Sequence, residues 1–244
     1  MKNREIFQRD PVATKLLNDG VAAVVEASSP KELETLRYEL EHFVCEGQYK
    51  EGMIRVLESY IGNVNSTVQP AAWVSGFYGS GKSHLLKMLR HLWVDTKFTD
   101  GATARGLVQL PQEVTDIVME LTTLGKRYGG LHAVSGTLPS GGGTSVRLNV
   151  LGIVFRSKGL PESLPQARFC LWLQKNGIYE KVSQAVSAVG KDFFRELQDL
   201  YVSPILAKAL LSVDPSFAPD EKQARATLRA QFPVTDDVST AEFI

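Results

Sequence analysis

Residues Gly76-Phe77-Tyr78-Gly79-Ser80-Gly81-Lys82-Ser83 constrain this chain more than any others. They form a complete G-x-x-x-x-G-K-S string, the Walker A pattern of a phosphate-binding loop. The flanks suit it. Ala72-Trp73-Val74-Ser75 is a short apolar run of the kind that forms a buried strand, and Ser83-His84-Leu85-Leu86-Lys87-Met88-Leu89-Arg90 continues with helical spacing. Strand, glycine loop and helix is the order such a loop requires. A glycine-rich turn that binds nothing would match the string but not the flanks.

The residue types follow from the chemistry of a polyphosphate. Gly76, Gly79 and Gly81 let the backbone turn tightly and approach a ligand with no side chain between. The loop N–H groups, including those of Phe77, Tyr78 and Ser80, can then converge on an anion. The helix beginning near Lys82 adds its positive end. Lys82 is expected to reach the β- and γ-phosphates, and the Ser83 hydroxyl to ligate Mg²⁺. His84 is expected to offer its backbone N–H near the α-phosphate. ATP with Mg²⁺ is the expected cofactor pair, and Lys82 the residue on which catalysis would depend. Phe77 and Tyr78 occupy variable positions and read as packing or shielding residues.

The wider chain is that of an ordinary globular protein, with 43% hydrophobic and 22% charged residues over 244 positions, enough for one or two cores. Lys+Arg and Asp+Glu balance at 27 each, which gives no support to wholesale nucleic-acid binding and leaves only a local patch open. Cys45 and Cys170 are far apart, with no metal or redox spacing, and read as buried thiols of a reducing, cytoplasmic compartment. No signal peptide or membrane span is evident.

Along the chain, residues 1–12 read as a lead-in with a breaker at Asp10-Pro11, and 13–26 as a helix. Ser29-Pro30 opens another, with Ser29 as cap and Leu33, Leu36, Leu40 and Phe43 as its stripe. Further helices are expected over 50–61, from the loop to Val94, and over 111–127, stopped at Gly129-Gly130. Leu131–Gly136 reads as a second strand. Residues 145–158 favour helix over strand. Short helices follow over 162–176, 178–189, 190–201, 203–213 and 219–231. Lys87 and Arg90 read as part of a solvated helix face and Gly141–Gly143 as a mobile loop. The expected organisation is a helical lead-in at 1–70, a P-loop core at 71–140 and a helical insert or subdomain at 141–244.

No downstream apolar run ends in a convincing acid. Val150–Phe155 runs into Arg156, Asp214 follows a helical pattern, and Asp116 and Glu120 lie within a helix. Phosphoryl transfer needs a second acidic element to hold the metal and position water. The chain therefore reads as a piece of a larger protein that stops before those acids.

Ile6-Phe7-Gln8-Arg9-Asp10-Pro11, the string from Gly76 to Lys87, and the segment from Gly159-Leu160-Pro161 through Trp172-Leu173 together resemble the N-terminal part of the large P-loop ATPase of BREX phage-resistance systems, the BrxC or PglY family. The resemblance implies an α/β, P-loop NTPase-like (AAA-related) fold, a partial parallel sheet with many flanking helices and a helix-rich C-terminal part. It also implies ATP binding, antiviral defence in the cytoplasm, and cooperation with a DNA methyltransferase and other BREX components. Hydrolysis would belong to the full-length protein or its assembly. Two other readings stay open: a nucleotide-responsive assembly module for defence proteins or DNA, and a P-loop phosphotransferase. Homo-oligomerisation is also left open.

Overall fold

The computed structural model describes Ile6, residues 29–67, 69–138 and 145–239, and Ala241. The lead-in at 1–12 apart from Ile6, the expected helix over 13–26 and the glycine run 141–143 lie outside those residues. The chain divides into two compact units, Met1–Thr137 and Leu138–Ile244.

The expected α/β fold is overturned. The structure is 61% helix and 1% strand, and no sheet forms among the described residues, so it is not a P-loop fold built on a parallel sheet. Among the described residues the β-pairing is one isolated antiparallel bridge, Lys97 to Thr103. Neither expected strand forms. Residues 72–75 and 131–136 have no regular structure. The physical reason is the lack of a partner: a strand exists only when a neighbour takes up its backbone donors and acceptors. Neither segment joins a ladder among the described residues, and Trp73 stands 91% exposed instead of lying in a core.

In the first unit, helices bury one another directly. Helix α1, Pro30–Glu41, starts at a reciprocal capping box: Ser29 Oγ accepts from the Glu32 N–H at 3.3 Å, and Glu32 Oε2 accepts from the Ser29 N–H at 2.8 Å. Helix α2 spans Gly47–Asn63, so Gly62 lies inside its last turn instead of ending it. Helix α3 is Lys82–Val94, α4 the short Ala104–Leu107, and α5 Gln112–Arg127. Their apolar stripes meet in one core containing Leu36, Leu40, Met53, Leu57, Met88, Leu92, Val114 and Leu121. Cys45 is buried in it. Gly130 N–H bonds back to Gly125 O at 2.9 Å and closes α5 where the glycine pair predicts.

Arg105 fixes the far end of α3. Its guanidinium donates to Leu92 O at 2.7 Å and Trp93 O at 2.9 Å, satisfying carbonyls of the last turn. It also donates to Val118 O at 3.0 Å and to Thr122 Oγ1 on α5. Burial pulls its pKa down from the usual arginine value.

The second unit is helical throughout its regular part. Helices α6 (Val146–Ser157), α7 (Leu164–Lys175), α8 (Tyr179–Ala188), α9 (Phe193–Gln198), α10 (Pro204–Val213) and α11 (Glu221–Gln231) follow the expected order closely. Helix α10 packs against α8, α9 and α11. The core gathers Phe169, Leu173, Val182, Leu197, Leu210 and Phe232. Cys170 is buried there, and desolvation pushes its thiol up to about 12.

Candidate phosphate-binding loop

The loop of 76–83 is shaped by its glycines. Gly79 and Gly81 have φ of 78° and 79°, a left-handed backbone that costs other residues strain. Gly81 is the N-cap of α3 and supplies no side chain to cap it. The first intrahelical bond runs from Leu85 N–H to Gly81 O at 2.9 Å. The N–H groups of Lys82, Ser83 and His84 therefore precede the helical ladder at the positive end of a thirteen-residue helix.

Lys82 folds back over the loop. Its ammonium donates to Phe77 O at 2.7 Å, to Gly76 O at 2.9 Å and to Ser80 Oγ at 3.4 Å. The lysine thus sits on the loop's inner side, beside Gly76, Ser80 and Gly81. Ser80 N–H bonds to Phe77 O at 3.2 Å and closes the turn. Ser83 is exposed at the first turn of α3. Gly76 lies close to Ser80 too: a Cβ there would fall 2.9 Å from Ser80 Oγ, so that hydroxyl would have to turn aside.

Tyr49 on α2 completes the support. Its hydroxyl donates to Ser80 O at 3.1 Å, tying the loop to a helix thirty residues earlier. A Cβ at Gly81 would fall 1.6 Å from that hydroxyl. The Tyr49 contact is invisible in local spacing, because it joins positions distant in sequence.

A cavity of about 840 Å³ opens beside the loop, between α2 and residues 70–77. Its size lies in the range of small-molecule sites. Lys82 and Arg55 line it, and no carboxylate does.

The remaining candidates part company. The His84 ring turns to Phe43, with centroids 5.6 Å apart, and desolvation lowers its pKa. Its side chain belongs to that contact and its N–H to the helix start. Phe77 and Tyr78 are exposed, so the packing role expected of them is not realised among the described residues. Lys87 is not on a solvated face. It is buried, with Nζ 2.5 Å from Glu39 Oε2 of α1, also buried. His91, one turn on, is buried too, with Nδ1 2.9 Å from Thr96 Oγ1 and desolvation lowering its pKa to about 4. The sequence signal for this burial is Glu39 lying between Leu36 and Leu40, and Lys87 beside Met88, next to the apolar stripes.

No known protein family matches this chain, and no solved structure does. The phage-defence resemblance rests on the residues that carry it. Of its opening segment, only Ile6 is described.

The acids set aside in the sequence have local placements of their own. Val150–Phe155 lies within α6, and Asp116 and Glu120 within α5. Asp214 follows α10 and accepts from Ser216 N–H at 3.1 Å and Ser216 Oγ at 2.6 Å. No cluster of three or more His, Cys, Asp or Glu suited to a metal occurs among the described residues. No helix among them is long and apolar enough to cross a membrane.

Proposed function

We propose that residues 76–83 bind the triphosphate of ATP, and that the chain is the nucleotide-binding region of a cytoplasmic phage-defence ATPase of the BREX type, working with other components of that system. The observation that carries the reading is the loop itself. Two left-handed glycines, an uncapped helix start and the Lys82 ammonium surround one concave backbone turn. These are the features that hold a polyphosphate without a sheet-borne side chain.

The residues fit the anion directly. The N–H groups at the start of α3 would take one phosphate, and Lys82 would exchange part of its bonding to Gly76 O and Phe77 O for phosphate oxygens. Bound Mg²⁺ would supply charge neutralisation on the β- and γ-phosphates, and the Ser83 hydroxyl would help to hold it. Among the described residues no carboxylate lines the adjoining cavity, whereas orienting an attacking water calls for one. The chain should bind ATP and release phosphate slowly.

Calorimetric titration of Mg-ATP tests the reading. Lys82→Ala should weaken binding at least tenfold, on the order of 1.5 kcal/mol or more for a charge-assisted contact. Equal affinities in wild type and variant would refute the assignment.

A further inference from the structure

The cavity beside the loop has a composition the phosphate chemistry does not use. It holds two cations, Lys82 and Arg55, and no acid. Arg55 is exposed on α2 and forms no ion pair among the described residues. The walls also carry aromatic rings. Tyr60 and Trp93 are packed edge-on against each other, centroids 4.5 Å apart. Trp73 is different: it lines the cavity, yet 91% of its surface is open.

An indole exposed in this way, at the rim of an acid-free cationic cavity, suits a ligand with a flat ring at one end and negative charge at the other. A phosphate alone would need the loop and Lys82 but not the rest of the cavity. Trp73 precedes Gly76 by three residues, a chain reach of at most roughly 10 Å. That separation suits a ligand whose ring and phosphates are joined by a sugar. Resting on the reading of the loop as a triphosphate site, we propose that this cavity is the nucleoside subsite, that the Trp73 indole is the stacking platform for a purine base, and that Arg55 is a second cation over the sugar–phosphate side.

The test compares two ligands on the full chain, Mg-ATP and magnesium tripolyphosphate, by calorimetry. Wild type should bind ATP about tenfold or more tightly than tripolyphosphate, the scale of one base–aromatic stack. Trp73→Ala should remove that advantage, weakening ATP about tenfold and leaving tripolyphosphate unchanged. Trp73→Phe should keep most of it. Because Trp73 is exposed, the alanine variant should retain the wild-type circular dichroism and melting temperature. ATP and tripolyphosphate binding equally to wild type, both lost in Lys82→Ala, would overturn the nucleoside subsite and leave the phosphate loop standing. An unchanged ATP affinity in Trp73→Ala would do the same. Failure of wild type to bind either ligand would overturn the loop reading and the subsite with it.

Discussion

Lys87 Nζ lies 2.5 Å from Glu39 Oε2, an ion pair buried between α1 and α3. The lysine is one turn beyond the phosphate loop, so the pair anchors the helix whose first turn carries Lys82 and Ser83. Breaking a buried pair on one side leaves an uncompensated charge. Lys87→Met or Glu39→Leu alone should therefore cost about 3 kcal/mol of unfolding free energy. The double substitution should cost clearly less than the sum, because it removes both charges. Urea midpoints of the four proteins check the cycle. Strict additivity would show that the pair has no energetic coupling.

Gly81 is held by both its backbone and its neighbour. Gly81→Ala would impose strain at φ 79° and drive a methyl into the Tyr49 ring. The loss should be about 2 kcal/mol or more for the two effects together. In a Tyr49→Ala background the steric part disappears, and the added cost of Gly81→Ala should fall to about 1–2 kcal/mol. Denaturant unfolding reads both values, and an equal penalty in the two backgrounds would place Tyr49 elsewhere in solution.

Ser83→Ala removes a metal ligand but leaves the backbone cradle. Mg²⁺ should improve ATP affinity in wild type much more than in this variant. Affinity measured in excess chelator should be nearly the same for both. Titrations with and without Mg²⁺ decide the point, and an unchanged magnesium benefit would count against Ser83.

His91 makes stability depend on pH. Its Nε2 is buried with no hydrogen-bond partner among the described residues, and burial, Arg90 and Lys87 together lower its pKa from 6.5 to about 4. Between those values the unfolded chain binds more protons than the folded one. Stability is thus full above about pH 6.5 and is lost as pH falls toward 4. At pH 5 the loss should be on the order of 1–2 kcal/mol. His84 is shifted the same way by desolvation and adds to the slope. Melting temperatures from pH 7.5 to 5 should fall, and the fall should be shallower in His91→Gln.

The helices were legible because their signals are local. Ser29 with Glu32, Pro30 at the first turn, and Gly129-Gly130 after α5 each act within a few residues of the boundary they set. The glycine loop was legible for the same reason. The sheet was misread because an apolar run such as Ala72–Ser75 records a tendency toward burial, whereas a strand requires a partner that no local window contains. Tyr49, Arg105 and the Glu39–Lys87 pair escaped notice on the same ground. Each joins residues distant in sequence, and Lys87 in particular carries a charge that composition alone places in water.

The bonds Lys82 makes to Gly76 O, Phe77 O and Ser80 Oγ occupy its ammonium donors within the loop. An arriving anion does not meet a bare ammonium. It must draw the lysine away from two carbonyl dipoles and a hydroxyl before gaining the full attraction. If residues 76–83 hold a polyphosphate as proposed, the loop would work as a charge threshold, favouring several linked phosphates over chloride or a single phosphate. Discrimination by valence would then reside in the resting position of one side chain.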